Sequence, residues 1–277
     1  MGERGFNRIR KDAGHGKDVE EVEISIKPSV KIIGVASGKG GVGKSTVAVN
    51  LATVIARKGF NVGIFDADVC GFTIPKMLGI TEKPAISNEN KFLPIEKHGI
   101  KVMSTGFFIK ENQPVIWRGP MIHKAIKQIL TETLWGDLDY LVIDLPPGTG
   151  DVAITSGILL PDMSMIIVTT PQDVSSLVAC RALKMAKQTN LKILGVIENM
   201  SYFTCQKCGE KAYIFGQGGG KDLARQEGVP FLGEIPLEQG VRELGDTGRP
   251  LVSENINSPA KEAFEKIAAK ITGSKIR

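Results

Sequence analysis

The sequence predicts a doubly wound α/β domain on a mostly parallel sheet. Three observations carry that prediction. Short apolar runs alternate with segments whose apolar residues recur at helical spacing. A glycine-rich stretch, GKGGVGKST at Gly38–Thr46, joins the first apolar run to the first helical one. Two runs end in aspartate, Asp66 and Asp144, and ligands in such folds gather at the carboxyl ends of strands.

The elements follow in order. Residues 1–28 read as a tail: Arg4, Arg8, Arg10 and Lys11 come first, then Asp18, Glu20, Glu21 and Glu23, with few apolar groups to offset ordering entropy. The folded domain is expected over residues 29–277. Lys31–Ala36 is a strand, and Thr46–Lys58 a helix stopped by Gly59. Asn61–Phe65 and Ile100–Ser104 are further strands. Met121–Thr133 is helical, with Ile122, Ile126, Ile129 and Leu130 on one face. Tyr140–Ile143 and Ser164–Thr169 are buried strands, Ser175–Gln188 a helix, and Lys192–Glu198 a strand. A short helix at Lys221–Gln226, a strand at Phe231–Ile235 and a helix opened by Ser258-Pro259 complete the series. Ala260, Ala263, Phe264, Ile267, Ala268 and Ile271 share the last helix's apolar face.

Composition narrows the function classes. Of 277 residues, 42% are hydrophobic, enough for a substantial core. A net charge of +5 from 35 basic and 30 acidic residues is too mild for a nucleic-acid binder. No apolar run approaches the roughly 20 residues of a membrane helix, and no signal-peptide core follows the first methionine. A cytoplasmic chain without membrane or nucleic-acid partners is therefore expected. Four cysteines (Cys70, Cys180, Cys205, Cys208) do not make a disulfide scaffold at this length. Cys180, inside a helical pattern, reads as core; the role of Cys70 stays open.

The Gly38–Thr46 loop is a phosphate-binding pattern in the required strand–loop–helix setting. Its glycines let backbone N–H groups curl around phosphate oxygens, and the helix that follows aims its positive end at the same anion. Lys44 is expected to reach the β- and γ-phosphates of ATP, and the Ser45 hydroxyl to bind Mg²⁺. Asp66-Ala67-Asp68 and Asp144 place carboxylates where a metal or an attacking water needs them. Pro146-Pro147-Gly148-Thr149-Gly150-Asp151 is a second loop suited to a γ-phosphate. Lys39 has no role in an ordinary loop of this kind: it is either a solvated lysine or a group that reaches a nucleotide across a two-fold interface. Asn199 either reads an adenine edge or sits in a turn. Gly216–Lys221 reads as a connector, and His15, His98 and His123 show no metal spacing.

Cys205-Gln206-Lys207-Cys208-Gly209 spaces two thiols for one metal. Two thiolates do not complete a tetrahedral site, and a symmetric dimer would supply the missing pair. Zinc and iron–sulfur both remain open. A redox pair is disfavoured because no long helix follows the motif.

Together these residues resemble the deviant P-loop ATPases that include MinD, ParA, the arsenite-pump ATPase and the nitrogenase iron protein. Within that class the chain looks like the Mrp/ApbC type of iron–sulfur cluster carrier, over residues 31 to about 270. The stretches that carry the likeness are the P-loop, Asp66–Gly71, Trp117–Met121, Asp144–Asp151, Glu198–Ser201 and Cys205–Cys208. The resemblance implies an ATP-hydrolysing homodimer. Lys39 would be the signature lysine that reaches the other subunit's nucleotide, Asp68 the acid that positions water, and Asp144 the second switch acid. Asp66 would lie near Mg²⁺, Gly38, Gly40, Gly41, Val42, Gly43 and Thr46 would line the phosphates, and Asn199 would contact adenine. Cys205 and Cys208 of two subunits would hold one bridging 4Fe–4S cluster and pass it to apo-proteins. The tail lacks the cysteines of some eukaryotic relatives, so no second cluster is expected. Two rivals remain: a positioning ATPase of MinD/ParA type, for which a CxxC has no use, and a zinc-stabilised dimeric nucleotide-binding module.

Overall fold

The computed structural model describes residues 26–69, 71–109, 119–148, 151–205 and 207–274. In chain order it runs β1 (Lys31–Ser37), α1 (Lys44–Arg57), β2 (Val62–Asp66), α2 (Ile74–Met77), β3 (Ala85–Ile86), β4 (Phe92–Leu93), β5 (Ile95–Lys97) and β6 (Ile100–Ser104). Then follow α3 (Gly119–Glu132), β7 (Tyr140–Asp144), α4 (Asp151–Leu159), β8 (Ser164–Thr169), α5 (Asp173–Gln188), β9 (Lys192–Thr204) and β10 (Lys211–Ala212). The chain closes with α6 (Gly219–Glu227), β11 (Phe231–Leu237), α7 (Gln239–Asp246) and α8 (Pro259–Thr272).

The main sheet has the order β10-β9-β8-β1-β7-β2-β6-β5, with β11 pairing the other side of β9. Its pairings are parallel except β5–β6 and β9–β10. Alternate residues of β1 feed two separate cores: Ile32 and Ala36 join the side of α3, α4, α5 and α6, while Ile33 and Val35 join that of α1 and α8. Both faces are thus covered, which is why the strands read as continuous apolar runs rather than alternating ones.

The expected strands and helices are present, with differences that have local causes. α1 begins at Lys44, because Gly43 already turns the chain into the first helical residue. β9 does not stop at Glu198 but runs on to Thr204. Gly216–Lys221 is a helix entry rather than a connector: Gly218 takes a left-handed conformation at the N-cap of α6. Residues 1–25, where most of the expected tail falls, lie outside the described residues. Ile26 is buried in the core and Lys27 pairs with Asp137, so packing starts ahead of Ser29.

The apolar face of α8 is spent on the sheet. Ala260, Phe264, Ile267 and Ala268 are buried, packed beside α1 and β11. Burying a side chain the size of Phe264 or Ile267 contributes about 1.5–3 kcal/mol. Ser258 caps the helix by accepting from Lys261 N at 3.1 Å and donates its own hydroxyl to Glu238 at 2.8 Å. Among the described residues no helix is long and apolar enough to cross a membrane.

Candidate functional site

β1 is central, and the loop after it opens at the carboxyl edge of the sheet. Gly43 has φ +80°, a conformation that favours glycine, and closes the loop into α1. No side chain caps α1 and its first turn holds no acid, which leaves that turn's N–H groups for an anion. Gly38 is required for a different reason. A Cβ there would lie 2.4 Å from the backbone of Val178 and Ala179, so α5 packs directly on the loop.

Parallel register places the acids. Asp144 ends β7 opposite Val35 of β1 and opposite Asp66 of β2. Lys44 is 6% exposed, and its Nζ lies 2.6 Å from Asp144 Oδ1 and 3.8 Å from Asp68 Oδ2. Ser45 Oγ donates to Asp144 Oδ2 at 2.5 Å. Burial raises the Asp144 carboxyl above its ordinary range, against the pull of Lys44 and Ser45. Asp66 is fully buried and accepts from Asp68 N (3.2 Å), Ile74 N (3.3 Å) and Ser104 Oγ (3.1 Å). Burial first, and the charge of Asp144 second, push its carboxyl up to about 8. The site therefore holds one ammonium between carboxylates that burial makes costly to ionise together. A phosphate with a divalent cation fits that set: the phosphate takes Lys44, and Ser45, Asp68 and Asp144 offer hard oxygens for Mg²⁺.

A cavity of about 560 Å³ opens over the loop. Lys39–Thr46, Asp68, Pro147 and Asn199 line it, so most of the expected nucleotide residues share one cavity. Gly38, Asp66 and Asp144 lie outside that lining, Asp66 tied to it through the backbone N–H of Asp68. Asn199 Nδ2 donates to Val42 O at 2.9 Å, so the amide is tied to the loop itself. Lys39 Nζ donates to Gln172 Oε1 at 3.1 Å, at the start of α5. Gly148 N donates to Ser37 O at 2.8 Å, which seats the second loop beside the first. The far wall, which no sequence motif marks, comes from Ile235–Glu238 at the end of β11 and from Val241, Arg242, Gly245 and Asp246 of α7. The signal was faint, a proline, Pro236, within the last strand's apolar end.

The paired cysteines take no part in this cavity. They sit on the hairpin between β9 and β10. Cys205 N donates to Glu210 O at 2.9 Å and Gly209 N to Cys205 O at 2.8 Å, a tight knuckle with Gly209 at φ +75°. Backbone N–H groups of Cys208 and then Lys207, with the Cys208 side chain, hold the Cys205 thiol below its usual range. That is the environment a thiolate ligand needs. Among the described residues no group of three or more His, Cys, Asp or Glu could hold a metal ion. Among the described residues the hairpin thus offers two soft donors. Cys180 instead donates to Glu227 Oε1 at 3.2 Å, and burial raises its thiol. Cys70, Trp117-Arg118 and Thr149-Gly150 lie outside the described residues.

Comparison with known proteins bears on both sites. A family model described as ParA, the NUBPL iron-transfer P-loop NTPase, matches residues 29–272. The iron-sulfur cluster carrier protein of Bacillus subtilis is 51% identical over 239 residues, 86% of this chain and 67% of that protein. The iron-sulfur cluster transfer protein NUBPL of Dictyostelium discoideum is 42% identical over 268 residues, 96% of this chain and 83% of that protein. A nucleotide-binding protein of Archaeoglobus fulgidus, solved in complex with ADP, superposes with a TM-score of 0.70 at 42% identity, covering 83% of this chain and 90% of that one.

Proposed function

The chain belongs to the NUBPL-type iron-transfer P-loop NTPases of the ParA family, and from that premise we propose that it is an ATP-hydrolysing iron–sulfur cluster carrier. Two copies hold one 4Fe–4S cluster between their Cys205 and Cys208 pairs and hand it to apo-proteins. The observation that carries this reading is the half-complete metal site: a knuckle with a thiolate-favouring Cys205 and no third ligand among the described residues. A four-thiolate cluster needs what a second copy brings.

The nucleotide half rests on the other cavity. ATP is the substrate there, with its phosphates on the Gly38–Thr46 loop, Lys44 on the β- and γ-phosphates and Asn199 beside the base. Mg²⁺, when bound, supplies charge neutralisation on the phosphates. Asp68 and Asp144 orient water around that centre. Lys39 leaves Gln172 and reaches the nucleotide of the partner copy.

Anaerobic purification followed by iron, sulfide and zinc analysis tests the reading. Wild type should carry iron and acid-labile sulfide at about four of each per dimer. Cys205→Ser should lose both and still bind ATP. Zinc without sulfide in the wild type, or a cluster kept in full by Cys205→Ser, would overturn the carrier reading.

A further inference from the structure

β9 outlasts the strand beside it. β8 pairs with it only as far as Glu198, yet β9 continues through Asn199 and Met200 to Thr204, and Cys205 follows directly. On its other side β9 slips against β11. Ile235 lies opposite Asn199 and Leu237 opposite Phe203, so four steps of β9 face two of β11. Two extra residues are looped out between those pairs, which makes a bulge.

The bulge is strained and it faces the nucleotide cavity. Met200 has φ +57°, a left-handed conformation that residues with a side chain seldom adopt. Such a residue persists only where its surroundings over-determine it. Asn199 and Met200 both line the cavity, together with Ile235 and Leu237 from the opposing strand. The Asn199 amide bonds Val42 O, and a Cβ added at Gly43 would sit 2.3 Å from Asn199 Nδ2, so loop and amide interlock without slack. On the sheet side the strand is fixed. Glu198, itself 1% exposed, accepts from Gly220 N at 2.6 Å, and Ser201 Oγ donates back to Glu198 O at 2.9 Å.

One strand therefore joins the nucleotide loop to the cysteine hairpin, with its strained point beside the loop. From Met200 to Cys205 is five residues, about 16 Å of extended chain at ~3.3 Å each. We propose that Met200 is a positioning residue: its bulge transmits nucleotide occupancy of the Gly38–Thr46 loop to the Cys205–Cys208 hairpin. Phosphates settling on the loop act on the Val42–Asn199 contact, the bulge changes its backbone conformation, and the hairpin turns with it. The reading deepens the proposed function and rests on its nucleotide site, but not on the identity of the metal.

Metal-free protein provides the test, with iodoacetamide alkylation of each cysteine followed by mass spectrometry. Alkylation follows thiolate fraction and access, both of which the knuckle sets. In wild type, Mg·ADP or a non-hydrolysable Mg·ATP analogue should change the Cys205 rate by about five-fold or more, the lower end of ordinary site-to-site coupling. Met200→Gly removes both the strain and the side chain, so the Cys205 response should vanish at a nucleotide concentration that calorimetry shows to saturate the variant. Met200→Leu keeps both and should keep the response. A wild-type Cys205 rate indifferent to nucleotide would overturn the coupling. A full response in Met200→Gly would overturn the part given to Met200. Absence of nucleotide binding in calorimetry would overturn the site and the coupling together, whereas zinc at the hairpin would overturn only the carrier reading.

Discussion

Replacing Asp144 with Asn isolates one charge. The amide keeps the size of the side chain: its oxygen can still accept from Lys44, and its NH₂ can face Ser45 Oγ as a donor. What disappears is the anion 2.6 Å from a lysine that is only 6% exposed. Breaking a buried pair by neutralising one partner costs about 3–5 kcal/mol, because the remaining charge has lost its compensation. Two features of this site lower the figure. Asp68 Oδ2 stays 3.8 Å from Lys44 Nζ as a second, weaker partner. Asp66 is relieved too, since the charge of Asp144 is the second cause of its raised pKa. The expected loss is thus about 3 kcal/mol at neutral pH, the low end of the range. Urea denaturation of the nucleotide-free protein reads it as a midpoint lower by about 1 M with the slope unchanged. A loss below about 1 kcal/mol would refute the view that Asp144 compensates Lys44.

Two further outcomes follow from the same groups. Asp66 titrates near 8 in the folded chain against 3.8 when exposed, so the folded state holds a proton across that window that the unfolded chain has released. Stability is therefore full below the lower value and drains as pH rises through the upper one, at up to about 1.4 kcal/mol per unit. Thermal melts should show Tm falling up to about pH 8 and then levelling, and Asp66→Asn should flatten the decline; parallel profiles for both proteins would remove Asp66 as the cause. Lys39→Ala should leave ATP affinity within a few-fold and cut turnover by at least about ten-fold, as expected of a cation that acts from the partner subunit. Unchanged turnover would assign Lys39 to the solvated surface.

The layout of the domain was legible because its strands are buried on both faces. Runs such as Leu141-Val142-Ile143, short and rich in branched residues, fit strands of a covered sheet, and the aspartates that end them mark its ligand edge. The P-loop was legible because its chemistry demands glycine at fixed places. α7 was not, since Gly240 and Gly245 lower the helix propensity of an eight-residue segment held to the core by Val241 and Leu244. α4 was not legible either, because DVAITSGIL gathers its apolar residues on no one face. The extension of β9 was hidden for another reason. Asn199 and Ser201 are turn-forming types, and Met200 takes a turn residue's conformation within a strand. The raised pKa of Asp66 depends on its burial and on Asp144, far away in sequence, and no local pattern reports such a meeting.

The contact between Gly38 and α5 has a consequence for how this loop tolerates change. The space above Gly38 accepts a hydrogen atom and nothing larger. Any side chain there must lift α5, and α5 begins next to Gln172, whose amide oxygen is where Lys39 rests. The starting point of the lysine is therefore inherited from a neighbouring helix and not from the loop that carries it. Glycine and lysine at these two positions form one mutational unit: alter the first, and the second departs from a different place.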